Sequence, residues 1–418
     1  MTNCGATVNL WAWDGWEWPK FSHPVTPTSA ALVGGVWSGE VTVPEPRRAV
    51  DVVAQWGDIS GRTNRVPASG SKAAHSLRCC KTCDRGDPLL APKPDLARSL
   101  NVRDRPVRRG RNSMPRRVWI ALLSLDRGDP PALAERLSIT AKRIDGLAAS
   151  DPDIICLPEN FATAGVSVSP AEDLAQPQDG PIAACIAAKA RELGTNIICP
   201  LRLADAGRIY NTALVFDRSG EIAGRYDKIH ATDGEIAGGI TPGARPPRTI
   251  DLDIGRIGIQ TCFDLYWPDG WQSLGEQGAE IVFWPSAHPG GKYLNAYALL
   301  NHYFVVGVCG RPRGSIIDIT GVTIAEQGIW EPWLVSCVDL ERQLFCWTEE
   351  HWRKMHEMRA HYGRRLALDV QHDEDTFALH SNDERLTVKD IVRDFGLVTW
   401  EDYFDLQNKR RDEAVSTE

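Results

Sequence analysis

An α/β domain is the fold class that the sequence predicts, and three features predict it. Runs that are apolar from end to end, "DIICLPE", "TNIICPLRL" and "AEIVFWPS", read as strands covered on both faces. Segments with helical periodicity separate them, and two stretches punctuated by glycine read as hairpins. Strands that alternate with helices need helices on both sides of a sheet.

The regular order begins just behind Met114. "RVWIALLSL", Arg117 to Leu125, is an apolar strand. In "PPALAERLSITAKRIDGLAAS", residues Leu133, Leu137, Ala141, Ile144 and Leu147 fall at helical spacing, with proline in the first turn. "DIICLPE" follows as a strand, and "GPIAACIAAKARELG" as a second amphipathic helix ending at Gly194. After the strand "TNIICPLRL", the stretch "RIYNTALVFDRSGEIAGRYDK" is a hairpin turning at Arg218, Ser219 and Gly220. "RIGIQTC" is a strand, "DGWQSLGEQG" a helix, "AEIVFWPS" a strand, and "LNAYALLNHYF" a helix running into "VVGVCG". The hairpin "GSIIDITGVTIAEQG" and the strand "WLVSCVDL" close the domain.

Residues 1–113 follow a different grammar. Their apolar residues keep neither period, and Pro, Gly, Ser and Arg interrupt them up to the basic run Asn101 to Asn112. They are expected to be disordered, with no packed core; a start of translation at Met114, with the front outside the native coding sequence, is one reading. Trp11, Trp13, Trp16 and Trp18 form a cluster that could bind a partner. Cys80 and Cys83, with Cys79 and His75 nearby, have C-x2-C spacing but lack the second ligand pair of a structural zinc site, so no metal is expected. The expected division is therefore 1–113, a catalytic domain at 114–345, and a helical tail at 346–418. In the tail, Trp352, Met355, His356 and Arg359 form the expected docking stripe, and Leu386, Val388, Ile391, Val392 and Phe395 the expected anchors.

Composition sets limits. The 418 residues are 43% hydrophobic and 24% charged, ordinary for a water-soluble globular chain, and long enough for a large core. A net charge of -8 argues against general affinity for nucleic acid or an anionic membrane. No apolar run reaches the roughly 20 residues of a spanning helix. The N-terminus lacks a basic start followed by an apolar core, so no secretory signal is expected. Eleven cysteines, several inside apolar strands, fit reduced thiols and a cytoplasmic location.

Three short motifs carry chemistry. Glu159 ends a strand in "CLPENF", Lys228 follows a hairpin in "GRYDKIHATDGE", and Cys262 stands where the strand "RIGIQTC" meets a loop. Each alone has a plainer reading: a loop acid, a surface lysine, a small buried hydrophobe. Together they are complementary. A thiol near its free pKa of about 8.5 is a weak nucleophile at neutral pH, a carboxylate can take its proton, and an ammonium stabilises thiolate and carboxylate alike. The lysine and the backbone N–H of Phe263 could then hold a developing oxyanion. A strand–Cys–turn–helix sequence also displays the sulfur, as the serine elbow of α/β-hydrolases displays its oxygen.

The same motifs in this order resemble the nitrilase superfamily of carbon–nitrogen hydrolases, over roughly Arg117 to Leu340. "LPENF" is similar to its base motif, "YDKIHATDGE" to its lysine motif, and "GIQTCFDLYWPD" to its nucleophile motif; "GGITPG" and "GSIIDITG" also match. The resemblance implies a four-layer αββα sandwich, a Glu159–Lys228–Cys262 triad, Glu235 as a second supporting acid, no metal or organic cofactor, and a homo-oligomer paired through helices. One departure stands out. Where the superfamily usually reads R-A-x-E-N, this chain reads "AYALLNHYF", keeping Asn301 but placing Tyr297 or one of its neighbours, and Leu300, where Arg and Glu are usual.

Implied function is hydrolysis of a small-molecule amide or N-carbamoyl compound through a thioester. Phe263-Asp264 after the cysteine is closer to the amidase pattern than the Trp-Glu of nitrilases, so a nitrile is the second reading. Loops around Phe161, Trp267 and His288 are expected to shape the substrate pocket. A catalytically idle binding protein on the same fold is the alternative of another class.

Overall fold

Apolar runs with no polar face can only be buried on both sides, and the computed structural model places them in the middle of two sheets. It describes residues 116–124, 132–164 and 174–416, together with the backbone of six strands within residues 6–78. The chain divides into two units, Met1–Arg98 and Ser99–Glu418.

In the first unit, β1 (Ala6–Trp13) pairs antiparallel with β2 (His23–Leu32) and with β4 (Asp51–Trp56), and β4 with β5 (Ile59–Arg62). Separately, β3 (Val36–Val41) pairs with β6 (Ala73–Arg78). The side chains of this unit lie outside the described residues, as do Cys79, Cys80, Cys83, the basic run and Met114.

In the second unit, the elements follow the expected order. The first sheet has the order β11 (Ile222–Asp227), β10 (Arg208–Phe216), β9 (Asn196–Asp205), β8 (Ile154–Cys156), β7 (Arg117–Leu123), β18 (Trp333–Asp339). The second has β12 (Ile250–Leu252), β13 (Gly255–Ile259), β14 (Ile281–Ser286), β15 (Phe304–Cys309), β16 (Ser315–Ile317), β17 (Thr323–Glu326). Each carries parallel central pairs, β7–β8–β9 and β13–β14–β15, and antiparallel pairs at its edges.

Three apolar layers make this a four-layer sandwich. Ile120, Leu122 and Ile198 of the first sheet meet Ile257, Phe283 and Val306 of the second, so the sheets face each other. On the far side of the first, Ala121, Ile155 and Ile197 pack with Ile144 of α1 (Leu133–Asp145) and Ile186 of α2 (Pro181–Leu193). On the far side of the second, Val282 and Val305 pack with Leu274 of α4 (Pro268–Glu276) and Leu294 of α5 (Lys292–Asn301). Each fully buried side chain of this size stabilises the fold by roughly 1.5–3 kcal/mol. Tyr297 of α5, at the place of the usual arginine, stacks on Trp271 at 4.3 Å and donates to Leu265 O at 2.7 Å. It packs behind the turn that begins at Cys262, while Leu300 points to solvent.

The tail differs from its expected helical form. It contains α6 (Glu349–Tyr362), α7 (Val388–Phe395) and α8 (Trp400–Ser416), but also a sheet of β19 (Gln343–Cys346), β21 (Thr376–Ser381) and β20 (Leu366–Gln371). This sheet and two of the helices enclose a core of their own, with Phe345, Phe377, Met358 and Ile391 fully buried. The expected α6 stripe is also displaced. His351, Met355, Met358 and Tyr362 face inward, whereas Trp352 is 44% exposed. Helical spacing alone allows several adjacent stripes on a helix this rich in aromatic and basic residues; the neighbouring sheet selects one. Of the expected anchors, Leu386, Val388 and Ile391 are buried, and Val392 and Phe395 pack partly against them.

Candidate active site

Glu159, Lys228 and Cys262 each stand just past the end of a strand, and Glu235 lies on a short helix. After β8 the chain turns at Pro158, and Asn160 takes a left-handed φ of 48°. That turn swings Glu159 inward, where its residue is only 9% exposed. Lys228 follows β11 directly, and its N–H donates to Asn211 O across the ladder at 2.8 Å. Gly243 of "GGITPG" donates to Lys228 O at 2.8 Å, and a side chain there would collide with the Asp227 carbonyl. Only glycine permits that approach.

Lys228 is fully buried between two carboxylates. Its Nζ lies 3.2 Å from Glu159 Oε1 and 2.8 Å from Glu235 Oε2. Burial opposes the ammonium, but Glu159, Cys262 and Glu235 outweigh it and hold the lysine protonated above its ordinary range. Glu235 is the third residue of the short helix α3 (Asp233–Ala237), where its side chain closes a capping box by accepting from Thr232 N at 2.8 Å. The same oxygen faces Lys228. Against the effect of burial, Lys228 and the donors Thr232 and Asn211 keep Glu235 below the usual carboxylate value.

Cys262 begins a one-turn helix, Cys262–Tyr266, with a left-handed φ of 46°. For a residue with a side chain such a conformation costs on the order of 1–3 kcal/mol, and it makes the sharp turn between β13 and the helix. Burial, and then the Glu159 carboxylate, push the thiol up to about 12; Lys228 and hydrogen bonds from Ser286 and the Ala287 N–H work the other way. Trp284 Nε1 donates to Cys262 O at 3.1 Å and pins the turn to β14.

A wholly buried Asp264, two residues on, joins the Cys262 turn to the loop after Lys228. It accepts from Thr261 N at 3.0 Å and Tyr226 Oη at 2.7 Å through one oxygen, and from His230 N at 2.7 Å through the other, which also lies 2.8 Å from His230 Nδ1. His230 in turn stacks on Trp267 at 3.9 Å, with the planes 4° apart.

The sequence-predicted residues thus divide. Glu159, Lys228, Glu235 and Cys262 come together, and Phe263 N directly follows the thiol-bearing residue. His288 sits half-buried, in electrostatic reach of Glu159 and Lys228, with burial lowering its pKa first. Trp267 is half-buried and caps the C-terminal end of the Cys262–Tyr266 helix. Phe161 is not brought to the site, because its ring is fully buried with α1 and α2 behind the first sheet. Two residues escaped the sequence reading. Asp264 was visible only as part of a motif, and Asn211 only as a polar residue of low strand propensity within "RIYNTALVF".

Comparison with known proteins follows the same lines. The carbon-nitrogen hydrolase family model matches residues 121–344. A Pseudomonas protegens protein described as a hydrolase in the pqqF 5' region is 29% identical over 216 residues, covering 47% of this chain and 75% of that protein. A deaminated glutathione amidase of Synechocystis is 28% identical over 232 residues, covering 47% of this chain and 84% of that one. Among solved structures, a carbon-nitrogen hydrolase from Helicobacter pylori G27 is 19% identical and has a TM-score of 0.49, covering 59% of this chain and 93% of that one. With the family match extending over more than half of its residues, the chain belongs to the carbon-nitrogen hydrolase family.

Proposed function

We propose that this protein hydrolyses the non-peptide C–N bond of a small amide or N-carbamoyl compound, releasing a carboxylic acid and ammonia or an amine. The observation that carries this reading is the buried Lys228, held between Glu159 and Glu235 beside Cys262. A thiol pushed up to about 12 has almost no thiolate at neutral pH, so attack requires a base at the moment of reaction. Glu159 is that base. The sulfur adds to the substrate carbonyl while Glu159 takes the proton, and the negative charge moves to the carbonyl oxygen. Lys228 and the N–H of Phe263 stabilise that oxygen, each donor contributing about 3–4 kcal/mol. Collapse then expels the amine, which recovers the proton from Glu159, and leaves a thioester on Cys262. Water activated by the same carboxylate completes the cycle.

The amidase relative and the Phe263-Asp264 pair favour an amide over a nitrile. Trp267 and His288 are the residues proposed to face the substrate. Intact-protein mass spectrometry on a panel of amides, N-carbamoyl compounds and nitriles tests the reading. An acyl adduct on Cys262 from an amide or carbamoyl compound is expected. Adducts from nitriles only would move the chain to nitrile chemistry, and turnover with no adduct on Cys262 would remove the cysteine from the reaction.

A further inference from the structure

We propose that Asn211 is a positioning residue that directs the proton of Cys262 to a single oxygen, Glu159 Oε2. This rests on the reading of Cys262 as nucleophile and Glu159 as base. Asn211 is 2% exposed, and its Nδ2 lies 2.9 Å from Glu159 Oε1 and 2.8 Å from Glu235 Oε1. Ionised carboxylates only accept, so the amide nitrogen and not its oxygen must face them. Each of its two hydrogens is then committed to a different carboxylate.

The consequence is a count of acceptor sites. A carboxylate oxygen offers about two in-plane lone pairs. On Glu159, Oε1 receives Lys228 Nζ and Asn211 Nδ2, and is filled. Oε2 receives the N–H of Ala287 at 3.1 Å and keeps one lone pair. The same Ala287 N–H also counts among the groups that favour the Cys262 thiolate, so Oε2 is the oxygen of Glu159 that shares a backbone donor with the thiol's surroundings. On Glu235, Oε2 is filled by Lys228 and Thr232 N, while Oε1 receives Asn211 and keeps one lone pair. In the proton-transfer step the S–H bond breaks, an O–H bond forms at Glu159 Oε2, and the sulfur pair adds to the carbonyl carbon. The π pair moves to oxygen. When the amine leaves, the proton passes from Oε2 to its nitrogen. Without Asn211 a lone pair opens on Glu159 Oε1, so the proton is no longer confined to Oε2 of that carboxylate.

The test uses the full chain and iodoacetamide, an amide that alkylates thiols, with the adduct read by intact mass against pH. In Asn211→Leu, which removes both donors, the acid limb of Cys262 alkylation should move to higher pH by about one unit or more, the size expected for losing a charge-assisted hydrogen bond. Asn211→Asp, which keeps the shape and replaces donors by a carboxylate, should move it in the same direction, and it decides the matter if Asn211→Leu does not fold. On an amide that the wild type turns over, kcat should fall about 10–100-fold with KM nearly unchanged, as for a positioned acid–base group made less effective. An acid limb superimposable on that of the wild type would overturn the role of Asn211 alone. A wild-type adduct on some cysteine other than Cys262 would overturn the underlying reading as well.

Discussion

At the scale of single residues, the charges around Lys228 set the expected behaviour of variants. Cys262→Ala should abolish turnover, and Cys262→Ser nearly so, because a hydroxyl is far harder to ionise than a thiol. Glu159→Gln keeps the shape and removes the proposed base, so kcat should fall about 10²–10⁴-fold. It should also lower the pH at which the thiol ionises, because the carboxylate is, after burial, what pushes it up. Ultraviolet titration of the thiolate reads that midpoint, and an upward move would show the coupling to have the opposite sign. Glu235 contributes to stability in a pH-dependent way. Its folded pKa lies below the ordinary 4.5, so the folded state binds fewer protons than the unfolded one. The contribution is present above pH 4.5 and is lost as pH falls through the folded value. The melting temperature of the wild type should drop more steeply below that pH than that of Glu235→Gln.

Elements matter where one side chain ties two of them. Asp264 holds the nucleophile turn to the loop after β11 through donors from Thr261, Tyr226 and His230. In Asp264→Ala those buried donors lose their acceptor, a loss of roughly 3 kcal/mol or more since each unsatisfied group costs about 1–3. Chemical denaturation should show it, together with a fall in kcat from a displaced turn. The face of α6 gives a second check. Met358 is fully buried in the tail core and Trp352 is not, so Met358→Ala should cost about 2–5 kcal/mol, and Trp352→Ala only about 0.5. Equal losses would place the helix in the register that periodicity first suggested.

For the whole molecule, the apolar residues near the nucleophile helices bear on assembly. Tyr266, Tyr293, Leu299 and Leu300 are all exposed around α4 and α5, and Leu300 is 73% exposed. They are expected to be covered by a second copy of the chain. Light scattering at micromolar concentration should report a dimer or larger, and Leu300→Asp should weaken it; a fully active wild-type monomer would count against this. The residues proposed to carry the chemistry all lie behind Met114, so a chain beginning there should fold and keep any turnover. Loss of soluble protein would show that the front residues are needed. Among the described residues no helix is long and apolar enough to cross a membrane.

Sequence by itself determined the class and order of elements from β7 to β18, because strands buried on both faces and amphipathic helices leave periodic marks. It also pointed to Glu159, Lys228 and Cys262 as candidates, since each follows a recognisable strand, and the family resemblance added Glu235. What periodicity cannot carry is which neighbour a face meets. The packing of Phe161 behind the first sheet, the inward stripe of α6 and the tail sheet depended on contacts between residues far apart in the chain. Asn211 was hidden for the same reason. A single asparagine in a strand has no signature of its own, and its meaning came only when the fold set its two donors against carboxylates 52 and 24 residues away.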